Sequence, residues 1–121
     1  MEENRKRLLG AGLFWGLGQG MEKPQYLENS SKSLVGLTLE KDKKTIGFLT
    51  EYDAESEDQL NAKIISASGS FGEIYVVFSN FEKADEYKAK VPNNCGIICS
   101  HNPYGLGAIV QKIKLPKLVD F

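Results

Sequence analysis

The apolar positions of this chain fall into short runs and helical spacings that alternate along its length, the pattern of an α/β domain. The clearest stretch is 46–78, IGFLTEYDAESEDQLNAKIISASGSFGEIYVVF. Ile46–Thr50 is a short apolar run suited to a buried strand. Ser56 stands where a helix N-cap belongs, and Gln59 is placed to close a capping box. Leu60, Ile64 and Ala67 recur at helical spacing with Ile65 beside them, so the predicted helix has one apolar face. Gly69 and Gly72 are expected to end it and turn the chain. Ile74–Phe78 is β-branched and aromatic and reads as a second buried strand. A β-α-β unit of this length makes parallel strands joined by a right-handed crossover. Ile64, Ile65, Ile74 and Val76 are its expected core.

The flanking segments are weaker in pattern. Glu2–Leu9 is charged, then apolar, and predicts a short first helix. In the GAGLFWGLGQG that follows, Gly10, Gly12, Gly16, Gly18 and Gly20 surround Leu13, Phe14, Trp15 and Leu17. Glycine disfavours helix, so this segment is expected to be irregular. Its aromatics then either plug the core or stand exposed as a knob for a partner, which makes Leu13, Phe14 and Trp15 the candidate binding residues. A phosphate-cradling loop wants its glycines after a strand and at a helix start; here they follow a helical segment, and no lysine closes a P-loop. Glu22–Ser33 is polar, contains Pro24 and reads as a loop. Leu34–Glu40 alternates, with Val35, Leu37 and Leu39 on one strand face. Lys41–Lys44 reads as a charged hairpin turn.

Beyond Phe78, Ser79 and Glu82 offer a second capping box, and Phe81, Ala84 and Tyr87 a modest helical face running to about Lys90. Val91-Pro92-Asn93-Asn94 stops that helix. Cys95–Cys99 is another short apolar strand, Ser100–Gly107 a turn, and Ala108–Ile113 a last strand. Pro116 makes the tail KLPKLVDF an edge or an arm. The expected organisation is a single domain over 1–121. It comprises a helix with a glycine-aromatic segment over 1–20, an α/β core over 34–113, and a tail over 114–121.

Composition narrows the function classes. A chain of 121 residues with 41% hydrophobic and 26% charged residues builds one core of its own. A net charge of −1 does not favour non-specific binding to a phosphate backbone. Leu8–Leu17 is too short and too glycine-broken to span a membrane. The Arg5-Lys6-Arg7 lead has no small-residue cleavage site after it, so no signal peptide is expected. Two cysteines make no disulfide framework, and a reducing cytoplasm is the expected setting. Cys95 and Cys99 share a strand face and read as buried thiols. A zinc site would want closer cysteines and more ligands than the single histidine, His101.

The central stretch also carries a family pattern: a glycine, an aromatic, Glu-x-Lys, an acidic loop, a helix with an early leucine and Gln-x-x-x-Tyr, and a Tyr-Val-Val strand. Gly47 and Phe48 match its start. Asp53 matches the acidic loop, Leu60 the helix leucine, and Phe71 with Tyr75–Val77 the return strand. In these residues the chain resembles the small PD-(D/E)XK, or restriction-endonuclease-like, domains of bacteria and phages. The resemblance implies a central mixed β-sheet flanked by helices in αβββαβ order, with one further strand somewhere in 20–33. It also implies a changed centre. Leu49 stands at the position of the metal-binding Glu and Glu51 at that of the catalytic Lys. Lys63 and Ala67 stand at the Gln and Tyr positions. On that frame Glu51 and Lys63 would face each other and form an ion pair.

Metal-dependent nuclease chemistry needs carboxylates converging on a cation. The acids on offer are Glu40, Asp42, Glu51, Asp53 and Glu55. A migrated magnesium site would draw on Glu40, Glu51 and Asp53, with Lys63 beside them. The plainer reading makes the acids of the loop a solvated cluster that favours a helix N-terminus. The expectation is a catalytically inactive nuclease-like binding module without a cofactor. It would be a phage or mobile-element inhibitor or accessory factor acting on a protein partner in host defence or nucleic-acid metabolism, with weak nucleic-acid binding. The alternatives are a divergent metal-dependent nuclease and a homo-oligomeric structural subunit.

Overall fold

The structure is a computed structural model and describes residues 2–27, 34–101 and 109–114. Six strands form one sheet in sequence order: β1 (Glu22–Tyr26), β2 (Leu37–Lys41), β3 (Lys44–Thr50), β4 (Ile74–Phe78), β5 (Cys95–His101) and β6 (Ile109–Lys114). β1, β2 and β3 form an antiparallel meander. β3, β4 and β5 are parallel, and β6 returns antiparallel to β5. The helices are α1 (Glu2–Gly18), α2 (Glu57–Ser70) and α3 (Phe81–Tyr87), with a 3-10 turn over Glu51–Asp53. The order α1-β1-β2-β3-α2-β4 is the expected αβββαβ, extended by α3, β5 and β6.

The pleat divides the apolar residues between two cores. On one face Leu37, Leu39, Ile46, Phe48, Tyr75, Val77 and Ile98 pack with Leu8, Leu9 and Met21, under α1. On the other face Leu49, Ile74, Val76, Phe78, Cys95, Ile97 and Cys99 pack with Leu60, Ile64 and Ala67 of α2 and with Ala84 and Tyr87 of α3. Covered on both sides, β4 reads as the unbroken apolar run IYVVF. Lys41 and Lys44 pair across a two-residue hairpin turn. Asp42 and Lys43 fill it at φ 54° and 66°, the left-handed pair that matches strand twist.

The largest departure from the sequence reading is α1, which runs straight through the glycine-aromatic segment to Gly18. Packing outweighs propensity here. A Cβ on Gly12 would come within 3.1 Å of Phe48 and 3.3 Å of Val77, and one on Gly16 within 2.5 Å of Leu39. These glycines let the helix lie directly on the sheet. Trp15 and Leu13 are half-buried against that core, and the Trp15 ring sits 4.9 Å from the Tyr75 ring. Phe48 stacks on the same tyrosine at 5.1 Å.

Other departures are local. The polar segment over 22–33 contains β1, an exposed edge strand with a register break between Glu22 and Gln25, where Lys23 takes φ 56°. The sheet therefore begins at β1, ahead of the core strands expected over 34–113. Regular pairing starts only at Leu37, so Val35 falls into the α2 core while Leu37 and Leu39 face α1. Ile65 is 63% exposed, one position off the buried row of Leu60, Ile64 and Ala67. Gly69 lies inside α2, whose cap is Phe71 in extended conformation; the Asn94 side-chain amide donates to the carbonyls of Ser68 and Phe71. The cap of α3 is Asn80, not Ser79. The tail over 115–121 and most of the predicted turn before the last strand lie outside the described residues.

Candidate functional site

The parallel strands end together, and polar side chains gather at their carboxyl edge, where ligands of open α/β sheets commonly bind. The sequence builds this edge by turning sharply after Thr50. The Thr50 hydroxyl accepts from the Tyr52 N–H at 3.1 Å and donates to the Asp53 carboxylate at 3.0 Å. Asp53 reaches back to the Thr50 N–H at 2.6 Å and so closes a capping box over the 3-10 turn. The other Asp53 oxygen accepts from Arg5 Nε at 2.7 Å. Both side chains are nearly sealed from solvent, 9% exposed for Arg5 and 2% for Asp53. Arg5 thereby fastens the first turn of α1 to the end of β3.

Glu51 is engaged as fully. Its Oε1 accepts from the Ser79 N–H at 2.9 Å and from the Ser79 hydroxyl at 2.6 Å. Its Oε2 lies 3.3 Å from Lys83 Nζ on α3. The carboxylate braces the end of β3 against the β4–α3 junction. Burial, and after it the Glu51 charge, push the nearby Cys99 thiol up from its ordinary range. Cys99 at this edge is therefore a protonated, unreactive core thiol near neutral pH.

The sequence-picked residues separate as follows. Leu49 is buried beneath α2 and cannot ligate. Lys63 donates to the Asp53 carbonyl at 2.9 Å, so the expected Glu51–Lys63 ion pair is replaced by two separate contacts. Glu40 pairs in register with Thr45 near the start of β3 and approaches Lys23 at 3.9 Å. It is about 20 Å of strand away from Glu51, so Glu40, Glu51 and Asp53 do not converge on one point. Among the described residues no group of three or more His, Cys, Asp or Glu is placed to hold a metal ion. Arg5, Thr50, Ser79 and Lys83 complete this edge without being candidate site residues in the sequence. Thr50-x-x-Asp53 carries a capping signal; Ser79, expected in a capping box with Glu82, donates to Glu51 instead, and nothing local marks the reach of Lys83 to Glu51.

A different surface carries Phe14, the most exposed large apolar side chain among the described residues. On the outer side of α1, Phe14 is 77% and Leu17 48% exposed. Of the three candidate binding residues, only Phe14 projects into solvent, while Leu13 and Trp15 are held against the sheet. Tyr26 on β1 is 54% exposed and stands opposite Leu37, on the α1 face of the sheet. Among the described residues no helix is long and apolar enough to cross a membrane. No family model, curated protein or solved structure matches the chain.

Proposed function

We propose that this chain is a non-catalytic protein-binding module on a nuclease-like frame, working in the cytoplasm through the outer face of α1. The observation that carries the reading is the state of the edge carboxylates. Both oxygens of Glu51 are taken by Ser79 and Lys83, and both oxygens of Asp53 by Thr50 and Arg5. Carboxylates held in this way act as braces between elements. The exposed Phe14 and Leu17 supply the anchors that a protein interface uses. With a net charge of −1, binding strength comes from such apolar anchors rather than from phosphate contacts. An inhibitor or accessory factor of a phage or mobile element fits a frame that retains its shape without its centre; this part of the proposal rests on the resemblance.

The test is a cleavage assay on single- and double-stranded DNA and RNA with magnesium or manganese. No cleavage above buffer is expected. Metal-dependent cleavage that disappears in Glu51→Ala would replace the reading with that of a divergent nuclease.

A further inference from the structure

Resting on the reading of α1 as a docking surface, we propose its occupant: α1 of a second copy. The two helices pack antiparallel about a two-fold axis and cross at Gly10, with each Phe14 beneath the other copy's Arg7. Three observations support this arrangement. The outward row of α1 is Glu3, the adjacent pair Lys6 and Arg7, Gly10, Phe14 and Leu17, with successive steps of three or four residues along one helix face. Its carboxyl-terminal half exposes two large apolar side chains, and its amino-terminal half two exposed cations. Among the described residues Arg7 has no ion-pair partner.

The glycines divide by role. Gly12 and Gly16 are explained inside the chain, because a Cβ there would meet Phe48, Val77 or Leu39. Gly10 is not: among the described residues nothing stands within 4 Å of the Cβ it would carry. In mid-helix it weakens α1 without any return from the fold. A second helix crossing at that point uses the missing side chain, since glycine lets two backbones approach closely.

The row is also complementary to itself. Arg7 lies three residues before Gly10 and Phe14 four after. At 1.5 Å of rise per residue these are about 4.5 Å and 6 Å from the crossing point, on opposite sides. An antiparallel pair therefore brings each guanidinium over the other copy's Phe14 ring, within roughly the 6 Å of a cation–π contact. A two-fold interface requires this kind of self-matching, and it forms the same contact twice. One helix pair is a small interface, so the dimer is expected to be reversible, with a dissociation constant on the order of micromolar.

Sedimentation of the full chain over about 1 to 200 μM tests the proposal. Wild type is expected to pass from monomer to dimer. Phe14→Ala and Arg7→Glu should each weaken association by about tenfold or more, with the double variant little worse than either, since both remove one contact. Gly10→Leu should abolish the dimer while its melting temperature stays at or above that of wild type, which separates interface from fold. A monomer at every concentration, or a dimer indifferent to all three substitutions, overturns the α1–α1 interface. So does a monomer that binds anionic phospholipid vesicles through Phe14, which would give this face to a lipid surface. The cleavage assay is independent of these outcomes and decides the broader reading separately.

Discussion

The carboxyl edge of the sheet and the outer face of α1 use their residues in opposite ways. At the edge, charged and hydroxyl groups are buried or half-buried and satisfied by one another: Arg5 with Asp53, Glu51 with Ser79 and Lys83, Thr50 with its own turn. On α1, Phe14 is 77% and Leu17 48% exposed among the described residues. Polar groups clustered at strand ends invite a catalytic reading, yet here each has a structural partner. Exposed apolar groups invite a packing explanation, yet α1 meets the sheet through Leu8, Leu9, Leu13 and Trp15. One edge contact, Arg5 with Asp53, reaches α1, so the buried ion pair of the first region keeps the second in place.

Breaking that link should have the largest effect. Arg5→Ala leaves the Asp53 carboxylate sealed without its cation, and removing one member of a buried pair typically costs about 3–5 kcal/mol. Urea unfolding is expected to show that loss as a lower midpoint. A midpoint within error of wild type would mean that the edge does not tether α1. A smaller effect separates the two sides of α1. Gly16→Ala drives a methyl into Leu39 and should destabilise by about 1–3 kcal/mol. Gly10→Ala enters open space and should stabilise the monomer by about 0.5–1 kcal/mol, read by thermal unfolding at low concentration. Equal responses at the two positions would erase the distinction between the packed and the open face.

Much of the fold was legible because apolar period and strand chemistry agree over 37–78 and 95–99. The hairpin, β3, the buried row of α2, β4 and the start of β5 all follow from local pattern. Three features did not, each for a physical reason. α1 runs through its glycines because close contact with Phe48, Val77 and Leu39 replaces the missing propensity, and propensity alone cannot see a sheet beneath a helix. β1 is an exposed edge whose EKPQY carries no alternation; its pairing with β2 supplies the order. Ile65 sits on the rim of an apolar row, where spacing places it within one residue of burial. At the edge, the acids and the Thr50 cap of Asp53 were visible in the sequence, but the distant partners were not. Arg5 and Asp53 are separated by 48 positions and Glu51 and Ser79 by 28, and contacts at that range leave no local trace.

The carboxylates of the strand edge are engaged by the protein as braces between its elements. Thermal unfolding of the wild type, with and without manganese at millimolar concentration, tests this claim most directly. A cation bound at ten times its dissociation constant adds about 1.4 kcal/mol of stability, enough to raise the midpoint by several degrees. With Glu51 and Asp53 held by Ser79, Lys83, Thr50 and Arg5, the midpoint is expected to stay unchanged by the metal. A saturable rise that vanishes in Glu51→Ala would show that these carboxylates are free to ligate, and would contradict the claim.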